Sequence, residues 1–273
     1  MSHPWLTGDI TSANSARHRR AADDALIDDP SGQLEVFRAL VAGAVASTNV
    51  EAFKVSGFDA AGELLDGRRL RIRRAGGDHA AGIAEFETAQ KTWKGPRAAF
   101  EHLWVGGEEF VYFAVNAGGR GIPKFGDFCL VVLDPSERGR SVVVFPGDTA
   151  QRYGDKSPVD ADLARAEAAA WGDRDALAVT HLGSRALAAT PTAWPELICS
   201  NDGYLETVVT PSPPIAEVAE VRLPQGYLGQ LKEVHGRAVN REVLTPTELA
   251  QAHAYRSIQR WRATHGTVAV EIP

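Results

Sequence analysis

The chain is poor in sulfur-containing residues and has no long apolar run. Its 273 residues include two cysteines and one methionine, which excludes a disulfide framework and a four-cysteine zinc site. Cys129 and Cys199 lie in apolar segments, where a small buried side chain is favoured over a ligand or a nucleophile. No run reaches the roughly 18–20 apolar residues that span a bilayer, and the first ten residues lack the apolar centre of a signal peptide. The sequence therefore predicts a cytoplasmic protein without a membrane partner.

Several motifs of nucleophilic, nucleotide and metal chemistry are also missing. The sequence has no G-x-S-x-G elbow, no G-x-x-x-x-G-K-[ST] loop, no H-E-x-x-H pair and no paired C-x-x-C. The glycines at 118–121 follow a strand-like segment without opening a helix, so a wide turn is expected there. The eight histidines are scattered without a paired spacing, and we predict no metal site.

The charge balance disfavours a protein devoted to nucleic acid. The formal net charge is −6, whereas phosphate neutralisation needs clustered lysine and arginine. The apolar and charged fractions, 44% and 23%, are those of a folded globular protein. We expect a polar N-terminal lead-in, residues 1–30, followed by a single globular domain, residues 31–273.

Three segments carry a helix start signal, a capping residue followed by proline at the first helical position. They are Asp29-Pro30, Ser157-Pro158 and Thr245-Pro246. An apolar stripe at helical spacing over residues 34–45 follows the first signal, and an alanine-rich segment within 159–171 follows the second. After the third, Glu248 is placed for a reciprocal capping bond and Gly266 for a stop, which predicts a helix over 246–264.

Strand-like runs fill the middle of the chain and recur at its end. They cover residues 51–58, 68–74, 109–116, 127–133, 141–145, 176–180, 204–209, 217–223 and 267–272. Because helices cluster outside this strand-rich region, a regular βαβ alternation is not expected. The predicted fold class is α+β, with mainly antiparallel or mixed sheets and flanking helices.

Glu206 stands out because it interrupts an otherwise apolar strand, YLETVV. One interpretation is that strand alternation simply turns its side chain to solvent. The other comes from a likeness between this segment and a known family. The run Tyr204-Leu205-Glu206, followed by a loop and EVAEVRLP, resembles the last motif of ADP-ribosyltransferase-like proteins. GEEFVYFAVN and FGDFCLVVLDP resemble the paired central strands of that fold, and RRLRIRRAGGDHAAGI resembles its first strand, loop and helix, so that the likeness covers residues 68–224.

This resemblance implies a function and a set of site residues. NAD would be the substrate of an ADP-ribosyltransferase or an NAD glycohydrolase, in the manner of a toxin or effector, with a macromolecular acceptor in the transferase case. Glu206 would hold a ribose hydroxyl, Tyr112 would stack on nicotinamide, and Arg73 or His79 would grip NAD. The central strand lacks a Ser-Thr-Ser motif, and Tyr204 replaces the Gln or Glu of many toxin branches, which leaves the acceptor open.

Two other functions remain open on the residues alone. One is a non-enzymatic binding or immunity-type protein, in which Tyr112 is a core residue and Arg73 belongs to a charged edge strand. The other is a hydrolase built on the loop FPGDTAQRYGDKS. Asp148, Arg152, Tyr153 and Asp155 crowd that loop.

Overall fold

The structure, a computed structural model, describes residues 9–90, 94–155, 160–200 and 203–273. Helices and strands alternate irregularly along these residues. The helices are α1 (Asp9–Ile27), α2 (Gln33–Ala42), α3 (Ala52–Ala61), α4 (Gly67–Arg74), α5 (His79–Gln90), α6 (Lys94–Glu101), α7 (Ala161–Glu167), α8 (Arg174–Ala188), α9 (Trp194–Ile198), α10 (Tyr227–Val239) and α11 (Pro246–His265). The strands are β1 (Val45–Val50), β2 (Val111–Asn116), β3 (Phe128–Val132), β4 (Ser141–Pro146), β5 (Ala169–Ala170), β6 (Leu205–Thr210), β7 (Val218–Pro224) and β8 (Val268–Ile272).

The strands form one mixed sheet in the order β5-β4-β6-β2-β1-β3-β7-β8. The β7–β8 pair is parallel, and the pairs β2–β6, β4–β6, β4–β5 and β3–β7 are antiparallel. The predicted α+β class, with a mixed sheet and flanking helices, is confirmed.

The chain divides into two compact units. Unit 1 comprises Met1–Ala46, Glu87–Gly119 and Asp134–Pro211, and unit 2 comprises Ser47–Phe86, Arg120–Leu133 and Ser212–Pro273. Because each unit is assembled from three separate segments, neither corresponds to one continuous stretch of sequence.

In unit 1, α1 and α2 both pack against α8. The apolar stripe predicted for α2 is confirmed in Leu34, Phe37 and Val41, which are buried. Phe37 meets Trp194 edge to face, with ring centroids 5.4 Å apart. Helix α1 lies within the segment predicted to be a polar lead-in, and it is anchored by Asn14, whose amide donates to the Ala168 carbonyl.

In unit 2, α11 packs against α3 and α10. The capping box predicted at Thr245 and Glu248 is present, and Gly266 ends the helix in the left-handed conformation. Asp59 of α3 accepts hydrogen bonds from Trp261 and Ser257 of α11. These hydrogen bonds compensate for the partial burial of its carboxylate and connect the two helices.

Three predicted strands are wrong. Residues 51–58 lie mainly in α3, residues 68–74 form most of α4, and residues 176–180 lie inside α8. In segments this short, the apolar pattern of a strand cannot be distinguished from one face of a helix. Arginine, leucine and alanine are also strong helix formers. The other six predicted strands are confirmed.

The first two helix starts differ from their signals. Helix α2 begins at Gln33, because the Asp29 carboxylate accepts from the Leu34 N–H and holds the intervening residues in a turn. Ser157-Pro158 lies outside the described residues, and the helix expected after it is α7, capped by Asp160. Cys129 and Cys199 are buried, as predicted, although Cys199 follows α9 instead of lying in a strand.

Candidate functional site

Glu206 lies in the middle strand of unit 1. Strand β6 pairs with β2 on one side and β4 on the other, so that Glu206 stands opposite Ala114 and Phe145. Its side chain is only 3% exposed, which overturns the interpretation that alternation turns it to solvent. Tyr112 lies opposite Val208, two residues along β6, and therefore faces the same side of the sheet as Glu206.

The residue that precedes a short π-helix, Ala150–Gly154, supplies the first hydrogen bonds to Glu206. The N–H of Thr149, just before this helix, donates to Glu206 Oε2 over 2.8 Å, and the Thr149 hydroxyl donates to the same oxygen. The Asp148 carboxylate accepts from the N–H groups of Ala150 and Gln151. π-Helices are rare and occur frequently at functional sites.

Helix α6 supplies the cation. Arg97 Nη1 lies 3.4 Å from Glu206 Oε2, and Arg97 Nη2 lies 3.5 Å from Asp148 Oδ1. The guanidinium stacks on Tyr112, 4.1 Å from the ring centroid, and the Tyr112 hydroxyl donates to Glu101 Oε1 over 3.0 Å. Since Arg97 and Glu101 are four residues apart, they share one face of the helix. One arginine thus joins Glu206, Asp148 and Tyr112.

Tyr204 bridges the two carboxylates. Its hydroxyl lies 3.1 Å from Glu206 Oε1 and 3.1 Å from Asp148 Oδ2. A tyrosine hydroxyl carries one hydrogen and can donate to only one of them. The phenol therefore donates to Glu206 or to Asp148, one at a time.

The charges of this site shift one another. Burial raises the pKa of Glu206; Arg97 opposes that increase and the Asp148 carboxylate adds to it. Burial by itself lowers the pKa of Arg97, but the carboxylate of Glu206 and its neighbours raise it well above the ordinary value. Burial also raises the pKa values of Tyr112 and Tyr204. Arg97 therefore stays charged and both phenols stay neutral.

Aromatic side chains cover the inner side of the site. Phe100 of α6 meets Phe145 edge to face and stacks on Tyr153, with centroid distances of 5.5 and 5.8 Å. The π-helix approaches α6 so closely that a Cβ atom at Gly154 would lie 1.8 Å from the Pro96 carbonyl oxygen. Glycine is required at this position, and the contact fixes where Arg97 enters the site. The side chains of Asp148 and Arg97 remain 17% and 15% exposed, so solvent reaches the network at these two residues.

The loop considered for a hydrolase divides into two parts. Asp148 belongs to the Glu206 site. Arg152 instead pairs with Glu167 through two contacts of 2.6 Å, and the Tyr153 hydroxyl donates to the same carboxylate over 2.8 Å. Although burial opposes it, the bond from Arg152 holds the pKa of Glu167 below its usual value. Asp155 ends the π-helix and is exposed. The four polar residues of this loop do not form one cluster.

The two residues expected to grip NAD lie in unit 2. Arg73 is exposed near the end of α4, where its guanidinium donates to the Ala60 carbonyl. His79 is the exposed first residue of α5. The hydrogen-bonded network of unit 1 includes neither residue, and their roles stay predictions.

Sequence reasoning missed Arg97, Thr149 and Glu101. The segment KGPRAAFEHLW does carry a signal, since Arg97 and Glu101 have helical spacing after a Gly-Pro pair. The described residues contain neither a metal-ion cluster nor a membrane-spanning helix. No group of His, Cys, Asp and Glu among them is arranged to hold a metal ion. No described helix has both the length and the apolar character needed to cross a membrane.

Comparison with known proteins assigns no family. No protein-family model matches the chain, and no curated protein matches it significantly. A functional conclusion therefore has to come from the site itself.

Proposed function

We propose that unit 1 carries an enzyme site that cleaves the nicotinamide–ribose bond of NAD, either to hydrolyse NAD or to transfer ADP-ribose to a macromolecular acceptor. The observation that carries this proposal is that Arg97 joins Glu206 and Tyr112, two of the four residues that the family resemblance implies. The two lie on neighbouring strands of one sheet face.

Glu206 would stabilise the positive charge that develops on the ribose as the bond breaks. A preorganised carboxylate acts most strongly where water is excluded, and Glu206 is buried beside an aromatic cluster. Because Arg97 covers one face of the Tyr112 ring, nicotinamide would have to stack on the other face.

Asp148 and Tyr204 would take up the proton that the attacking water or acceptor hydroxyl releases. The hydrogen-bonded line from Glu206 through Tyr204 to Asp148 connects a buried carboxyl group with a partly exposed one. Asp148 at its outer end can accept a proton from water or from an acceptor hydroxyl. This role brings the residue of the alternative hydrolase hypothesis into the same site.

A second candidate function is the non-enzymatic binding protein, and one observation favours it. Both oxygens of Glu206 already accept or share hydrogen bonds with protein groups, namely Thr149 and Tyr204. A carboxylate satisfied in this way can hold β6, the π-helix and α6 together without any substrate. The two functions differ in whether NAD is consumed.

The decisive experiment follows nicotinamide release from NAD by the purified protein, with and without cell lysate as a source of acceptor. The variants are Glu206→Gln and, as a matched control, Glu220→Gln, a partly buried strand glutamate of unit 2 that pairs with Arg222. We expect release by the wild type and by Glu220→Gln, and a loss of about 100-fold or more in Glu206→Gln. Intact NAD in every condition would refute the proposed enzymatic function and leave the non-enzymatic binding function.

A further inference from the structure

Helix α4 of unit 2 carries a row of arginines backed by aromatic rings. Arg68, Arg71 and Arg74 are spaced three residues apart and therefore lie along one face of the helix. The guanidinium carbons of Arg68 and Arg71 lie 4.7 and 5.8 Å from the Phe86 centroid, and that of Arg74 lies 4.4 Å from the Phe53 centroid. Stacking on a ring fixes the plane of a guanidinium and leaves its N–H edge able to donate.

A lysine joins this row from α3. Lys54 Nζ lies 5.8 Å from the centroid of Phe53, so it shares that ring with Arg74. Burial lowers the pKa of Lys54, and repulsion by Arg71 lowers it further against the attraction of Glu51. Burial likewise lowers the pKa of Arg71, and Arg74 adds to this decrease. The three cations are thus held near one another at an electrostatic cost.

The nearby carboxylates compensate this charge only in part. Lys54 lies 3.7 Å from Glu51, and the single carboxylate of Glu85 serves both Arg74, at 3.0 Å, and Arg71, at 3.8 Å. Among the residues that the structure describes, Lys54, Arg71 and Arg74 therefore face two carboxylates, which leaves one positive charge uncompensated.

Arg71 also has a donor without an acceptor. Its side chain is only 9% exposed, and its Nε, which lies 3.8 Å from Glu85 Oε1, makes no hydrogen bond within the described part of the chain. Its Nη1 donates to the Gly67 carbonyl. An unpaired donor in a buried cation is costly, and an anion beside Lys54 and Arg74 would supply both the charge and the acceptor.

We propose that this face of unit 2, formed by Lys54, Arg71 and Arg74, binds a phosphate group, either as inorganic phosphate or as an organic phosphate monoester. Phosphate offers several strong acceptor oxygens and a charge opposite to that of the site, and arginine and lysine are its usual ligands. The site is independent of the NAD site proposed for unit 1.

The other two arginines of α4 provide matched controls. Arg73 points away from the row and donates to the Ala60 carbonyl. Arg69 is paired with Glu63 and Asp66. A nonspecific effect of removing positive charge from this helix would appear equally at Arg73 and Arg74.

The experiment titrates the full chain at pH 8 with inorganic phosphate, glycerol 3-phosphate, or chloride at matched ionic strength, by calorimetry and thermal unfolding. We expect both phosphates to raise the Tm beyond chloride, Lys54→Met and Arg74→Gln each to weaken binding about tenfold or more, and Arg73→Gln to change it less than twofold. Tighter binding of glycerol 3-phosphate than of inorganic phosphate identifies a monoester as the ligand, and the reverse order identifies the free ion.

Two results would overturn the proposal: phosphate stabilising the chain no more than chloride, or Arg73→Gln weakening binding as much as Arg74→Gln. If Lys54→Met fails to fold, Arg74→Gln decides, because the side chain of Arg74 is 45% exposed and its loss is tolerated by the fold.

Discussion

Replacing Arg97 with methionine is the sharpest test of the charge network in unit 1. The change keeps an unbranched apolar stem over Tyr112 but removes the cation that faces the carboxylates of Glu206 and Asp148. Breaking a buried ion pair by removing one partner typically costs about 3–5 kcal/mol, because the remaining charge is left uncompensated. We expect a loss of this size in the free energy of unfolding at neutral pH.

The loss should depend on pH in a defined direction. Burial already raises the pKa of Glu206, and Arg97 opposes that increase, so Arg97→Met should raise the pKa further. With its pKa raised in the folded state, Glu206 costs no stability below the unfolded value of about 4.3, where both states are protonated. The cost grows as the pH rises through the folded pKa. The deficit of Arg97→Met relative to wild type should therefore be small near pH 4 and larger at pH 8.

A double-mutant cycle completes this test. Glu206→Gln retains an oxygen that can accept from Thr149 and should cost about 1–3 kcal/mol. In the double variant Arg97→Met/Glu206→Gln both charges are absent, so its loss should fall short of the summed single losses by about 1–3 kcal/mol. Urea unfolding of the four proteins at both pH values measures these quantities. Losses that add within about 0.5 kcal/mol, or a deficit that does not change with pH, would show that Arg97 and Glu206 are not coupled.

Two further substitutions, each followed by urea unfolding, test one structural contact in each unit. Gly154→Ala should destabilise unit 1 by about 1–3 kcal/mol, because the added Cβ would collide with the Pro96 carbonyl. Gly236→Ala in α10, where the added Cβ meets nothing within 4 Å, should instead stabilise by about 0.5–1 kcal/mol, and a similar effect at both glycines would contradict the close approach at Gly154. Thr245→Ala should cost about 1 kcal/mol through loss of the α11 capping box, whereas Thr245→Ser should keep most of that stability; equal losses in the two variants would rule out the hydroxyl as the cap.

The sequence predicts the buried strands of this fold better than its short helices. Segments 109–116 and 127–133 are rich in valine and phenylalanine, and both form strands whose residues are largely buried. Segment 68–74 alternates between arginine and apolar residues as a strand would. It is nevertheless a helix, capped by Asp66, which accepts from the N–H groups of Arg68 and Arg69. A cap of this kind can be seen in the sequence only once a helix is already suspected.

Of the candidate site, only the residues that lie on strands could be predicted from the sequence. Glu206 stands out as a charged residue within an apolar run, whereas Tyr112 is identified only through the family resemblance that rests on the segment around Glu206. Arg97 lies 109 residues from Glu206 in sequence, on a short helix whose packing depends on the glycine contact at Gly154. Nothing local to Arg97 indicates which carboxylate it meets, so its partnership had to come from the structure.

Glu206 shows why a charged residue in a strand cannot be assigned to solvent from alternation alone. Period-two alternation turns one face of a strand to water only where that face of the sheet is uncovered. Strand β6 has a neighbour on each side, and its first five residues are all buried, so the polar member of the run is enclosed together with the apolar ones. A buried carboxylate needs donors, and its own strand has already committed its N–H groups to the sheet. The donors must therefore be side chains or groups outside β6, here Tyr204, Thr149 before the π-helix and Arg97 of α6. Glu206 needs these partners whether or not NAD is a substrate.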